Sequence, residues 1–232
     1  MTEELSPKRR LALAVGATAL LILFGALLAP LSAELRAYAR GLEFAVIAGA
    51  LIMAVAFLVA IPLGTLAASG PRAFDTALRF VCDLVSSLPT LFVAAVLWAW
   101  AGRTLSYVCA LGALRGLEQA WLLRCEIVRL EAEDEDVAPR SLGRTPLFAF
   151  LRLRLPAALG PLFVSASFSV AWLTALDAGL TQAGLRPPSA MRTWGIVLAA
   201  PQQSPFAAVL AAGSVALLTV SLHALFRPPR VA

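Results

Sequence analysis

Hydrophobic residues in this chain neither alternate nor recur along a single face. They run in blocks, with polar residues gathered between them. Crossing about 30 Å of hydrocarbon takes about 20 apolar residues in a helix, and six blocks reach or approach that length. They are Leu11–Ala33, Leu42–Ala68, Leu84–Ala101, Leu105–Leu123, Ala157–Leu176 and Phe206–Phe226. The first is followed by no small-residue cleavage site ahead of a soluble domain, so it reads as a retained helix and not a removed signal peptide. The fourth is interrupted by Arg115 and Glu118. Two connections are long. The one from Asp177 to Pro205 is rich in Gly and Pro; the one from Arg124 to Arg154 carries six acids toward its start and arginines toward its end. Pro139, Gly143, Pro146 and Pro156 predict two or three short helices with sharp turns in this second segment, lying at the membrane surface.

Composition agrees with the blocks. Of 232 residues 60% are hydrophobic and 14% charged, against about 45–50% and about 25% in soluble domains; the mean hydropathy is +0.83. That excludes a disordered chain and predicts an all-α membrane protein with six transmembrane helices. Several chemistries drop out as well. The only Lys is Lys8, within Pro7-Lys8-Arg9, so there is no Gly-Lys-Ser/Thr phosphate loop. Cys82, Cys109, Cys125 and His223 are scattered singly, which fits neither a zinc site nor a disulfide framework. With one His and no HExxH or GxSxG element, a membrane-embedded enzyme is a poor alternative.

The basic residues orient the bundle. With the N-terminus inside, the inner segments Met1–Arg10, Ser69–Asp83, Arg124–Arg154 and Arg227–Ala232 hold 13 Lys and Arg, and the outer segments hold 5. That bias predicts an N-in, C-in chain. The layout is then a cytoplasmic N-terminus over 1–10, a first transmembrane helix over 11–33, a core of five helices over 42–226 that contains the cytoplasmic segment 124–154, and a cytoplasmic tail over 227–232. The net charge of +5 follows from this insertion pattern and from anionic headgroups. Nucleic acid is not implied, since no aromatics interleave on a basic face.

Val137-Ala138-Pro139-Arg140-Ser141-Leu142-Gly143 is followed after nine residues by Leu153-Arg154-Leu155-Pro156. This resembles the inner-loop signature of bacterial ABC importer permeases: Glu-Ala-Ala, three residues, Gly, nine residues, Ile-x-Leu-Pro. The resemblance extends from about Phe44 to Phe226. Pro62–Ala68 and Phe74–Arg79 resemble the end of the family's second helix and the amphipathic step after it. Asp83–Leu91 resembles its "D-x-x-x-x-x-P-x-L" stretch, Leu155–Leu162 its "L-P-N-x-L-x-P-L", and Gly184–Pro188 with Trp194-Gly195 and Leu198-Ala199 its outer loop. Together these resemble the second permease subunit of peptide/nickel-type (oligopeptide/dipeptide) importers, which are binding-protein-dependent transport systems.

The resemblance implies a type I ABC importer permease fold in a bacterial inner membrane and a non-catalytic subunit that binds no cofactor, with ATP and Mg on its partners. Those partners are a sister permease, two ABC ATPase subunits and a substrate-binding protein. It also implies that Ala138, Pro139, Arg140, Ser141, Leu142, Gly143, Arg144, Leu155 and Pro156 form the element that couples to the ATPase. Small residues allow close approach there and Gly143 allows a helix-ending turn. The sequence departs from the pattern at Val137 (for Glu), at Pro139 (for the second Ala), at Ala175, where the family carries an acid and this chain has Asp177 two positions later, and in the short outer segment Glu34–Glu43. A permease for another solute and a degenerate, non-transporting scaffold stay open as alternatives.

Arg115 and Glu118, three residues apart on one helical face, and Asp177 are the candidate pathway residues, since intramembrane charges tend to face a bundle interior. The alternative for the first two is a local pair. His223 reads as an interfacial residue near the end of the last helix, and Trp98, Trp100, Trp121, Trp172 and Trp194 as an aromatic belt. Gly112 and Gly116 form a GxxxG match, for which close helix packing is the modest reading.

Overall fold

The computed structural model describes residues 33–101, 104–132, 154–185, 193–203 and 205–226, together with Gly16 and Leu20. Among these residues the regular structure is helical: α1 (Ala33–Ser69), α2 (Arg72–Ser87), α3 (Thr90–Ala101), α4 (Thr104–Ala132), α5 (Leu155–Ser167), α6 (Ser169–Gln182), α7 (Trp194–Ala199) and α8 (Pro205–Phe226). The all-α class stands. Tyr38–Ser69, Leu155–Gln182 and Pro205–Ala224 are each long and apolar enough to cross a membrane, and α2 and α3 qualify only together, across a 95° bend. The protein is thus a multi-pass membrane protein with three or four spans visible among the described residues. The block 11–33 lies outside them except for Gly16, Leu20 and Ala33, all three helical.

Four expected boundaries shift. The block Leu84–Ala101 is not one rod. Pro89 disfavours helical geometry in the residue before it, and Leu88 is extended at φ −86°, ψ 139°. α1 begins at Ala33, absorbing the expected connection Glu34–Glu43, which holds no Pro to stop it. α4 runs to Ala132, beyond the expected end at Leu123, because no Gly or Pro intervenes between Gly116 and Pro139 and Arg129 pairs with Glu126 one turn away at 2.6 Å. Arg115, Glu118 and Gln119 in its middle keep α4 from the apolar character of the helices that qualify as spans. α6 continues to Gln182, so Asp177 lies within a helix and not in the outer connection.

α1 and α4 form the spine of the bundle. Their closeness has a specific cause. A Cβ on Gly112 would lie 2.8 Å from Val55 Cβ, and one on Gly116 would lie 2.6 Å from Val59 Cβ and 2.9 Å from the Ala56 carbonyl. From the other side, a Cβ on Gly64 would meet the Ala120 carbonyl at 2.7 Å. Small residues therefore let the two backbones touch, as the GxxxG spacing predicted. Three apolar clusters stack along α1. One sets Tyr38, Leu42 and Ala45 against α6, α7 and α8; the next sets Ala48 and Ile52 against α3, α4 and α6. The third sets Ala60 and Ala67 against α2, α4 and α5. Ile47, Leu58, Phe92, Val209 and Val220 are exposed on the outside, where lipid tails serve as solvent.

Candidate functional site

The polar residues of the bundle fall at three levels. At the first, α2 lies against the far end of α4. Arg124 Nε and Nη2 donate to the two carboxylate oxygens of Asp75 at 2.8 and 2.6 Å, a bidentate geometry that only a planar guanidinium offers. The hydrogen-bonded carboxylate raises the pKa of Arg124 above the ordinary arginine value. Trp121 lies beneath both Arg124, 5.1 Å from its ring centre, and Arg79, at 5.9 Å. One turn or two beyond, Arg154 at the start of α5 donates to Glu131 at 2.7 Å.

Leu155 and Pro156, the last two residues of the expected coupling set, open α5, where Pro occupies the first turn and loses no helix hydrogen bond by lacking an N–H. Leu155 is half-buried and Pro156 exposed. Ala138, Pro139, Arg140, Ser141, Leu142, Gly143 and Arg144 lie outside the described residues.

The second level lies in the middle of α4. Arg115 and Glu118 pair with each other, and the Arg115 guanidinium sits 5.3 Å from the ring centre of Trp172 on α6, a cation–π contact that α4 uses to reach α6. The local pair weighed from sequence is therefore present. Their neighbour Gln119 was not foreseen. It is 1% exposed, and neither amide atom has a hydrogen-bond partner in the structure. Spacing alone carried a signal, since Gln119 follows Arg115 by one turn.

At the third level, the short helix α7 docks on α1 and α6. Trp194 is 1% exposed, stacks on Tyr38 with ring centres 5.8 Å apart, and donates its indole N–H to the Tyr38 carbonyl at 3.0 Å. The Tyr38 hydroxyl in turn hydrogen-bonds Ser214 Oγ on α8 at 2.7 Å. Trp194 is thus a buried anchor, not a belt residue, whereas Trp100 is 80% exposed. Asp177 is buried under this helix. The Thr193 hydroxyl hydrogen-bonds its carboxyl, and a Cβ on Gly195 would sit 2.6 Å from Asp177 Oδ2. Only Gly fits there.

The three candidate pathway residues do not converge: Arg115 and Glu118 belong to the α4–α6 contact, Asp177 to the α6–α7 joint. A separate groove of about 500 Å³ runs between α6 and α8, lined by Ala171, Ala175, Ala178, Ala212 and Ala216 among others. Ala175 lines it and Asp177 does not. His223 lies against Phe168, ring centres 5.6 Å apart. Among the described residues no three His, Cys, Asp or Glu side chains come together as metal ligands.

The family described as "Binding-protein-dependent transport system inner membrane component" matches residues 60–228 of the chain. Proteins named as peptide transport system permeases in Brucella suis, Brucella abortus and Brucella melitensis are each 32% identical to it over 140 residues, which is 58% of this chain and 46% of theirs. The chain spans about half the length of these curated relatives.

Proposed function

Because the chain belongs to the family of binding-protein-dependent transport system inner membrane components, we propose that it is one permease half of an ATP-driven importer in a bacterial inner membrane. In this reading it pairs with a sister permease, and the two enclose a path for peptides or a similar small solute. Two ATPase subunits, which hold the ATP and Mg, drive them from the cytoplasmic side, and a substrate-binding protein delivers the solute from the other. The observation that carries the proposal is the extent of the family match, which takes in α2 to α8 and the inner segment between α4 and α5. The names of the Brucella relatives and the Gly184–Pro188 and Trp194-Gly195 motifs support peptides as the solute.

Six spans with both termini inside follow from the distribution of Lys and Arg, with α2–α3 as a bent span and α4 as a span that tolerates Arg115 and Glu118 because they neutralise each other. Residues Ala138–Arg144 with Leu155 and Pro156 seat in the ATPase subunits and pass their closure to the membrane helices as rigid-body motion. Arg115 and Glu118 border the solute path from α4, and Asp177 borders it through the joint that holds α7.

The test is cysteine crosslinking from Ser141→Cys to the ATPase subunits with and without nucleotide. A crosslink whose yield changes with nucleotide is the expected result; labelling of that cysteine only from outside the cell would refute the arrangement. A second reading, a scaffold subunit that transports nothing, draws on Val137 and Pro139 in the inner motif. It predicts that a strain carrying the chain with Gly143→Trp keeps uptake of a tripeptide, whereas the permease reading predicts its loss.

A further inference from the structure

α4 and α5 are the two helices from which residues 133–153 depart and to which they return. Their contact has a regular register. Leu123, Ile127, Ala158 and Leu162 share one buried cluster. An antiparallel register that sets Leu123 opposite Leu162 and Ile127 opposite Ala158, four residues forward on α4 for four back on α5, continues to Glu131 opposite Arg154. That is where the structure places an ion pair, Arg154 Nη1 to Glu131 at 2.7 Å, with the Arg154 side chain only 12% exposed and Glu131 38%. The apolar ladder therefore ends in a charged rung at the root of the 133–153 excursion. Two turns back along α4, Arg124 holds α2 through Asp75, so the same end of α4 is tied to a helix on either side.

We propose that the Glu131–Arg154 pair is a latch that closes the root of the inner segment, so that a thrust on residues 133–153 moves α4 and α5 together and does not spread them. The inference rests on the coupling role proposed above for that segment. The physical reason is leverage. A load arriving between two helix ends first opens the last contact between them. An apolar rung at the water boundary gains little by staying closed, while a partly shielded, charge-assisted hydrogen bond resists separation and fixes direction. Glu131 and Arg154 are positioning residues here, acting through the segment they bracket.

The experiment uses the complex purified with its ATPase subunits. One spin label sits on Cys125, exposed on α4, and the other on Ala157→Cys, exposed on α5, with Cys82 and Cys109 changed to Ala. Distances are measured by pulsed EPR without nucleotide and with ATP–vanadate. The unaltered pair is expected to give one narrow distance in both states. Glu131→Gln, which removes charge without volume, is expected to add a longer-distance population of about 10% or more in the vanadate state, and the swap Glu131→Arg/Arg154→Glu to abolish it. A Glu131→Gln complex that fails to assemble and is rescued by the swap supports the latch equally. An unchanged distance distribution in Glu131→Gln, or a swap that rescues neither defect, overturns it while the coupling role stands. Absence of any copurifying ATPase subunit overturns both.

Discussion

Single atoms decide how closely α1 and α4 approach. Gly116 faces Val59 and the Ala56 carbonyl at distances no Cβ tolerates, so Gly116→Val forces α1 and α4 apart. Overpacking of this kind costs about 1–3 kcal/mol or more. The expected outcome is a clear fall in the thermal midpoint of the detergent-solubilised protein, with Gly160→Ala as the control, since a Cβ there meets nothing within 4 Å. Trp194 is the other residue whose atoms are accounted for individually. Trp194→Phe keeps the stack on Tyr38 and removes the N–H that the Tyr38 carbonyl accepts, a loss of about 0.5–1.5 kcal/mol, since that carbonyl lies within α1 and keeps its helix partner. Thermal melts of the two variants side by side separate a packing fault from a hydrogen-bond fault. At this scale the GxxxG spacing made the glycine contact legible. The burial of Trp194 was not, because an outer-loop tryptophan in an apolar chain fits a membrane boundary equally well until its neighbours Tyr38 and Gly41, more than 150 residues away, are known.

Between elements, charge does what apolar burial does inside. Asp75 and Arg124 are 49 residues apart and join α2 to α4, each side chain about one quarter exposed. A pair so placed lies between surface bridges and buried ones, and breaking it by Asp75→Asn is expected to cost about 1–3 kcal/mol. A double-mutant cycle with Arg124→Gln checks this: a coupling energy near zero would mean that α2 is held without the ion pair, by packing at Phe74, Leu78 and Cys82 and by the Arg79–Trp121 contact. A helix start was legible in the sequence where Pro marks it at Leu155-Pro156, whereas the break at Leu88-Pro89 fell inside an apolar block read as one span. Helix ends were not legible at Ala33, Ala132 and Gln182, where a helix outlasts its apolar block. Polar residues with good helix propensity continue the rod into water, and hydropathy does not register that. Asp177 read as a loop residue for a different reason: a charge at the end of an apolar block marks a boundary by hydropathy, although one more turn of α6 carries it, buried, under α7, where Thr193 hydrogen-bonds it.

At the scale of the molecule, the apolar groove between α6 and α8 stands apart from the charged residues of α4. Its lining of Ala171, Ala175 and Ala178 makes it neutral where the family resemblance implies an acid near Ala175. Placing one there, Ala175→Asp, is expected to leave assembly intact and to alter which tripeptides the reconstituted transporter takes up, favouring those with a basic side chain by about tenfold if one new charge pair worth about 1.4 kcal/mol forms in the groove. Equal uptake of neutral and basic tripeptides would separate the groove from the solute path. The number of spans is a second property of the whole: cysteines at Ser141 and Gln203 are expected to react from opposite sides of the membrane.

The most direct measurement is copurification. The full chain, tagged and extracted from its native membrane in mild detergent, is expected to bring down a second permease of the same family and ATP-binding subunits, with ATP hydrolysis in the pooled material. A chain recovered alone, or with partners that bind no nucleotide, would contradict the proposal that it is half of a driven permease.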